Sequence, residues 1–255
     1  MINNDLFNLK NKVALVTGAS RGIGKAVAIG LAKAGANLVI CSHASSLDKT
    51  INTIKTIGVG VLGVKADVSK KSDVNDMVKQ AIDSFKRVDI LVNNAAVYIN
   101  KDVKDFGEEE WDFIIDTNLK GYFLCAQAVG REMIKQKSGK IINITSIGSL
   151  SAMPDTAVYC ASKAGIIGLT KGLAVDWAKH NINVNAVAPG DVVTEVNREQ
   201  HPDQEYITRV LNSIPMNRSA MPDELVGTIV FLASKASDYI TGSVIVYDGG
   251  WTAML

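Results

Sequence analysis

Two residues four apart, Tyr159 and Lys163 in the run Val158-Tyr-Cys-Ala-Ser-Lys-Ala-Gly165, carry the strongest chemical signal in this chain. An apolar-periodic segment follows them to about Ala178, so the spacing predicts one helix face shared by the phenol and the ammonium. A phenol ordinarily titrates near a pKa of about 10 and is a poor base at neutral pH, but a cation within a few ångströms favours the phenolate. Lowering it into a useful range takes roughly 3 to 4 kcal/mol of differential stabilisation, which requires that solvent be partly excluded. Such a pair is suited to exchanging a proton with a carbonyl or alcohol oxygen. Alone, a Tyr-x-x-x-Lys spacing is a frequent accident, and its meaning depends on what else reaches the same place.

Ser146 follows the predicted strand Lys140 to Ile144. In a parallel sheet its hydroxyl emerges at the carboxyl edge, where it can hydrogen-bond an oxygen that gains negative charge; the plainer reading is a loop serine capping nearby backbone. Asn118 falls inside the helix predicted to begin near Glu108, where asparagine is a mediocre helix former, so a specific hydrogen-bonding task is expected of it. Asn93 and Asn94 close the fourth predicted strand, where turn chemistry is the simpler explanation.

A second constellation lies near the start. The first predicted strand runs into Thr17-Gly18-Ala19-Ser20-Arg21-Gly22-Ile23-Gly24 and then into a helix of Ala, Leu and Ile. Glycine allows positive φ and close backbone approach, and a helix beginning there offers unpaired N–H groups and a positive dipole end to a dinucleotide pyrophosphate. The spacing is GxxxGxG rather than the usual G-x-G-x-x-G, so by itself an ordinary strand-to-helix turn remains open. The carboxylate that normally meets the ribose of NAD is missing: no Asp or Glu occurs from Gly18 to Leu47, and the second strand ends in Cys41-Ser42-His43-Ala44-Ser45-Ser46. Hydroxyls, His43 and Arg21 suit a 2′-phosphate, which favours NADP(H) over NAD(H). The structural alternatives are an exposed loop charge for Arg21 and a helix N-cap for Ser45.

The elements that must position these groups are legible as Val- and Ile-rich runs: Val13 to Val16, Leu38 to Cys41, Val61 to Val64, Ile90 to Val92, Ile141 to Ile144, Val184 to Val187 and Val244 to Val246. Helical stretches such as Ile23 to Ala34 and Val74 to Phe85 lie between them. The alternation predicts an α/β fold, a doubly wound, Rossmann-type parallel sheet of seven strands with helices on both faces. No linker, repeat or low-complexity tract interrupts it, so one domain over residues 1–255 is expected. The least regular part, 191–222, follows a strand and contains Pro202 and Pro215; its place beyond a strand's carboxyl end predicts a substrate-binding lid.

Composition narrows the partners. Hydrophobic residues at 47%, charged residues at 21% and a net charge of +1 describe an ordinary globular chain without the basic excess that binds nucleic acid. The first twelve residues lack the apolar core of a secretory signal, and no run of 18 apolar residues suggests a membrane span, so a cytoplasmic location is expected. Cys41, Cys125 and Cys160 are odd in number and widely spaced, which predicts reduced thiols in or near the core; His43, His180 and His201 show no ligand spacing, and no metal is expected.

Taken together, these residues resemble the short-chain dehydrogenase/reductase family from about Leu9 to Gly250. The matching motifs are Thr17 to Gly24, Asp67-Val68, Asn93-Asn94-Ala95-Ala96, Asn118, Ser146, Tyr159 with Lys163, and Pro189-Gly190 with Thr194. The resemblance implies hydride transfer between a nicotinamide cofactor and a small-molecule carbonyl or secondary alcohol. It implies a catalytic tetrad of Asn118, Ser146, Tyr159 and Lys163, with Lys163 also holding the nicotinamide ribose and Asn118 helping order a proton-relay water. Cofactor contacts are implied for Gly18, Ser20, Arg21, Gly22, Ile23, Gly24, His43, Asp67 and Val68 at the adenine, Asn94, Pro189, Gly190, Val192, and Thr194 at the carboxamide. Two departures stand out: Ala96, where the family most often has glycine, and His43, where many NADP(H) members carry arginine. The segments Asp176 to Gly190, Val230 to Gly242 and Asp248 to Trp251 look most similar to members acting on sugar acids and polyols, such as gluconate and deoxygluconate dehydrogenases. Family members are usually tetramers, so a homotetramer is expected. The rival enzyme reading is a 3-oxoacyl thioester reductase or broad carbonyl reductase, for which Arg131, Arg198 and Arg209 are candidates for docking a carrier protein. A non-catalytic module that senses cofactor is the remaining alternative.

Overall fold

The computed structural model describes residues 4–195 and 204–254. Seven strands form: β1 (Val13–Thr17), β2 (Asn37–Ser42), β3 (Val61–Lys65), β4 (Ile90–Asn93), β5 (Gly139–Ile144), β6 (Ile182–Pro189) and β7 (Val244–Tyr247). Each contains one of the predicted apolar runs. They pair all-parallel in the order β3-β2-β1-β4-β5-β6-β7. Every residue of β1 and β4 is buried, which fits central strands covered on both faces.

The helices are α1 (Gly22–Lys33), α2 (Asp48–Ile57), α3 (Lys71–Phe85), α4 (Glu108–Ile115), α5 (Gly121–Gln136), α6 (Ala157–Trp177), α7 (Gln204–Asn212) and α8 (Val226–Ala233). One face of the sheet packs Met77 and Val78 of α3, Val129 and Met133 of α5 and Ala174 of α6. The other packs Leu31 of α1, Ile54 of α2 and Ile229 of α8. The result is one Rossmann-type domain. Its strand order reverses between β1 and β4, the place where an open α/β sheet leaves a crevice at its carboxyl edge.

The helix predicted through Asn118 does not run on as an α-helix. A π turn, Asp116–Lys120, separates α4 from α5 and carries Asn118 fully inside. The wider turn brings Gly121 against Val68 at the end of β3, where a Cβ would lie 2.9 Å from a valine methyl, and turns the asparagine toward the segment after β4. Ser45 is likewise not an N-cap: α2 starts at Asp48, and it is the Ser46 hydroxyl that accepts the Asp48 N–H at 3.1 Å.

The base of the 191–222 segment is tied down. Val192 bridges Ala220, Val193 N–H donates to the Ala220 carbonyl at 2.8 Å and Ala220 N–H to the Asp191 carbonyl at 3.0 Å. The helix α7 stands within it. Arg198, Glu199, His201 and Pro202 lie outside the described residues.

Candidate active site

The carboxyl ends of β1, β4, β5 and β6 bring both constellations to one edge. At the end of β1, Gly18 has φ +65° and Gly22 φ +54°, conformations that side chains strain to adopt. A Cβ on Gly18 would lie 2.9 Å from the Ala95 Cα, and one on Gly24 would strike the Gly18 carbonyl and the Asn94 amide. Glycine therefore lets α1 start tight against the loop after β4. Asn94 locks the junction: its Nδ2 donates to the carbonyls of Thr17 (3.0 Å) and Gly18 (3.2 Å), and its N–H donates to the Thr17 hydroxyl (2.9 Å).

Arg21 holds the N-cap position of α1 in extended conformation, and no side chain caps the helix. Backbone N–H groups of the first turn, in the stretch Gly22, Ile23 and Gly24, are thus free of a side-chain cap and face the crevice end of the helix. That is an arrangement a pyrophosphate would fit. Thr194, in the loop after β6, closes over it, with its Cγ2 3.3 Å from where a Gly22 Cβ would sit. Gly190 is equally constrained, since its Cβ position lies 2.9 Å from that of Asp248. Pro189 pairs with Tyr247, and Val192 makes the bridge that anchors the loop.

The residues expected at the adenosine end lie at and beyond the carboxyl ends of β1, β2 and β3. Ser20 and Ser42 hydroxyls stand 3.4 Å apart, and His43 Nδ1 is 3.9 Å from Asp67 Oδ2. Burial alone would raise the Asp67 carboxyl, yet the Ser69 hydroxyl and N–H outweigh it, with help from His43 and Lys70, and hold it below its ordinary value. Arg21 and His43 are exposed on this rim, and Val68 is buried beneath it.

Tyr159 and Lys163 lie on α6 as the spacing predicts, with Lys163 only 2% exposed. The Tyr98 ring meets the Tyr159 ring edge-on, centroids 5.0 Å apart. Burial pushes the phenol up to about 12, opposed by a hydrogen bond with Ser146. Burial draws the Lys163 ammonium down to about 7. The expected lowering of the phenol is therefore not what the pair produces on its own. The lysine Nζ donates to the Ile144 carbonyl at 3.0 Å and lies 5.7 Å from the Tyr159 ring centre, so desolvation outweighs its charge. Ser146 serves both readings at once, since its hydroxyl also accepts the Gly148 N–H at 3.1 Å.

Asn118 turns its amide to the framework. Its Oδ1 accepts the Val97 N–H (2.8 Å), and its Nδ2 donates to the Val97 carbonyl (2.9 Å) and the Ser162 hydroxyl (3.2 Å). Ser162 in turn donates to the Tyr159 carbonyl at 2.7 Å. The side chain thus fixes the strand-four loop to α6. Ala96 is exposed and does not require positive φ, so the methyl that departs from the family pattern meets no obstacle.

Sequence reasoning missed two contributors. Tyr98 gave no signal in a loop, and Tyr122 reads as core. The Tyr122 hydroxyl donates to the same Ile144 carbonyl at 2.9 Å. Arg131 does not join a patch at the site: it lines a cavity of about 270 Å³ between α3 and α5, with Val78 and Glu132. Cys41 and Cys125 are buried and Cys160 half-buried, all unpaired.

Residues 18–252 match the enoyl-(acyl carrier protein) reductase family profile. A 2-dehydro-3-deoxy-D-gluconate 5-dehydrogenase of Dickeya dadantii (strain 3937) is 43% identical over 248 residues, 97% of this chain and 98% of its own length. A 3-oxoacyl-(acyl-carrier-protein) reductase of Staphylococcus epidermidis RP62A is also 43% identical, over 94% of this chain and 98% of its own. The crystal structure of a gluconate 5-dehydrogenase from Burkholderia cenocepacia J2315, in complex with NADP and tartrate, superposes with a TM-score of 0.94 at 37% identity, covering 99% of each chain.

Proposed function

We propose, from the premise that this chain belongs to the short-chain dehydrogenase/reductase family and is an NAD(P)-dependent oxidoreductase acting on CH–OH groups, that its substrate is a sugar acid or a related polyhydroxy compound. The observation that carries the reaction is the grouping of Ser146, Tyr159 and Lys163 at the sheet edge that also holds the glycine turn. A nicotinamide cofactor held at this edge would supply or accept the hydride. The chain's own residues manage the oxygen: Tyr159 gives or takes its proton, Ser146 steadies it, and Lys163 holds the ribose side and favours the phenolate once its charge is engaged there. Asn118 keeps α6 and the loop after β4 in register. Thr194, Val192, Gly190 and Pro189 frame the carboxamide side, and Asp67 and Val68 the adenine.

NADP(H) is the proposed preference. Its support is the absence of a carboxylate at 43–47, the exposed Arg21 and His43, and the NADP in related crystal structures. Comparing kcat/KM with the two cofactors tests it, and higher efficiency with NAD(H) overturns it. The 191–222 segment is proposed as the lid over the substrate, since its anchored base sits beside Thr194.

Self-association into a homotetramer is supported by two uncovered faces. One carries Trp111, Phe113, Phe123 and Val175 on α4, α5 and α6, and the other is the edge strand β7 with Val246 and Tyr239 nearby. Free thiols support a reducing, cytoplasmic setting.

The deciding experiment pairs gluconate oxidation with acetoacetyl thioester reduction, in the parent and in Tyr159→Phe. Turnover of the sugar acid that falls at least about 100-fold in the variant supports the proposal. Unchanged turnover in Tyr159→Phe refutes the mechanism. Activity on the thioester alone refutes the substrate class and favours the 3-oxoacyl reading, to which the equally similar Staphylococcus relative and the exposed Leu150 and Met153 after Ser146 lend support.

A further inference from the structure

Asn93 is the last residue of β4 and pairs with Asn143, so Ile144 lies one step past the end of that ladder. Its carbonyl is met by two side chains instead: the Tyr122 hydroxyl of α5 at 2.9 Å and the Lys163 ammonium of α6 at 3.0 Å. A carbonyl oxygen has two lone pairs, and these two donors fill them. The Lys163 ammonium also lies between two phenol rings, 5.4 Å from the centre of Tyr122 and 5.7 Å from that of Tyr159, within range of cation–π attraction. Tyr122 is 1% exposed and Lys163 2% exposed, so neither can trade these partners for water.

We propose that Tyr122 is a positioning residue for the reaction: by sharing the Ile144 carbonyl it keeps Lys163 from settling on that oxygen and leaves the ammonium available to Tyr159. The inference rests on the catalytic reading of Tyr159 and Lys163 given above. Two donors on one oxygen weaken each other's hold. Without the tyrosine hydroxyl, the ammonium becomes the sole donor to a buried carbonyl, is drawn toward it, and loses influence on the phenol. The titratable groups around this pocket are Tyr159 and Lys163 from α6 and Cys125 from α5. Burial holds the thiol and the Tyr122 phenol neutral, so Tyr122 acts as a hydrogen-bond donor throughout the working range.

The test compares the parent, Tyr122→Phe and protein carrying 3,5-difluorotyrosine at position 122, a stronger donor of the same shape. The first readout is the pH profile of kcat for alcohol oxidation. The second is the ammonium-to-amine titration of Lys163, followed by NMR on protein labelled at lysine Nζ and assigned by difference from Lys163→Met. Tyr122→Phe is expected to lower kcat about tenfold, the worth of one hydrogen bond, with KM little changed. It should move the kcat midpoint to higher pH and the Lys163 midpoint upward; difluorotyrosine should move both down. If Tyr122→Phe fails to fold, the difluorotyrosine protein alone decides, since it preserves packing. A parent that turns over no substrate ends the catalytic reading, yet the Lys163 titration still judges this one. Midpoints that stay put in both variants, with only thermal stability altered, overturn the inference and leave Tyr122 as core packing.

Discussion

Replacing Lys163 with methionine tests the electrostatics of the site independently of turnover. Burial draws the folded-state ammonium from its ordinary 10.5 down to about 7. The unfolded chain keeps that proton up to its ordinary value, so between about pH 7 and 10.5 the unfolded state binds more protons and stability rises with pH. At and below neutral pH the folded state bears the whole burden of a buried cation, on the order of 3 to 5 kcal/mol at about 1.4 kcal/mol per tenfold change in proton affinity. Tyr159 has the opposite sign: pushed up to about 12, it erodes stability only as pH climbs above the ordinary value of 10.0. The buried Cys41 and Cys125 thiols, also pushed up by burial, erode stability once pH passes their ordinary 9.0, so the interval from about pH 7 to 9 isolates the lysine. Urea unfolding of the cofactor-free parent and Lys163→Met, at one protein concentration across that interval, reads the difference. The advantage of the methionine variant, whatever its absolute size, should shrink by several kcal/mol as pH rises through the window. Curves that run parallel would show that the ammonium is as well solvated in the fold as outside it, and the argument from burial would be wrong.

Gly24→Ala places a methyl against the Gly18 carbonyl and the Asn94 amide, both fixed by hydrogen bonds; α1 must shift away from the turn. Fluorescence titration with NADPH should show affinity weakened at least about tenfold, the equivalent of about 1.4 kcal/mol, and unaltered affinity would mean that the start of α1 does not hold the phosphates. Asn118→Ala strips the Val97 N–H and carbonyl of their partners. It should cost roughly 2 to 3 kcal/mol in denaturant unfolding.

The strands and the Tyr159–Lys163 helix were legible because their signals are local. A run such as Val13 to Val16 is apolar throughout, and a parallel strand buried on both faces is the element that asks for this. The π turn at Asn118 was not, because nothing in Asp-Thr-Asn-Leu-Lys distinguishes it from an α-helix, and the Val68 that Gly121 packs against lies more than 50 positions away in sequence. Tyr122 was invisible for a related reason. Its ring sits at an apolar position of an amphipathic helix, and only the carbonyl it finds across the sheet gives its hydroxyl a role. The upward displacement of the Tyr159 phenol was also hidden, since spacing reports that a lysine is near but not that Lys163 is sealed from solvent while Tyr159 stays half-buried.

The four residues that the family pattern groups together divide by how their hydrogen-bonding capacity is used. Asn118 has spent three bonds on Val97 and Ser162, and through Ser162 it reaches the Tyr159 backbone rather than its phenol. Lys163, with three donors, gives one to Ile144. Ser146 accepts from Gly148 N–H and retains a hydroxyl proton that rotates to suit its partner. In the proposed reaction, chemistry at the oxygen falls to the serine, tyrosine and lysine, and the asparagine sets where they stand. Loss of Asn118 should then lower activity in step with loosening of α6, while loss of the Tyr159 hydroxyl removes turnover from a helix that stays in place; circular dichroism and cofactor affinity measured on both variants separate the two failures.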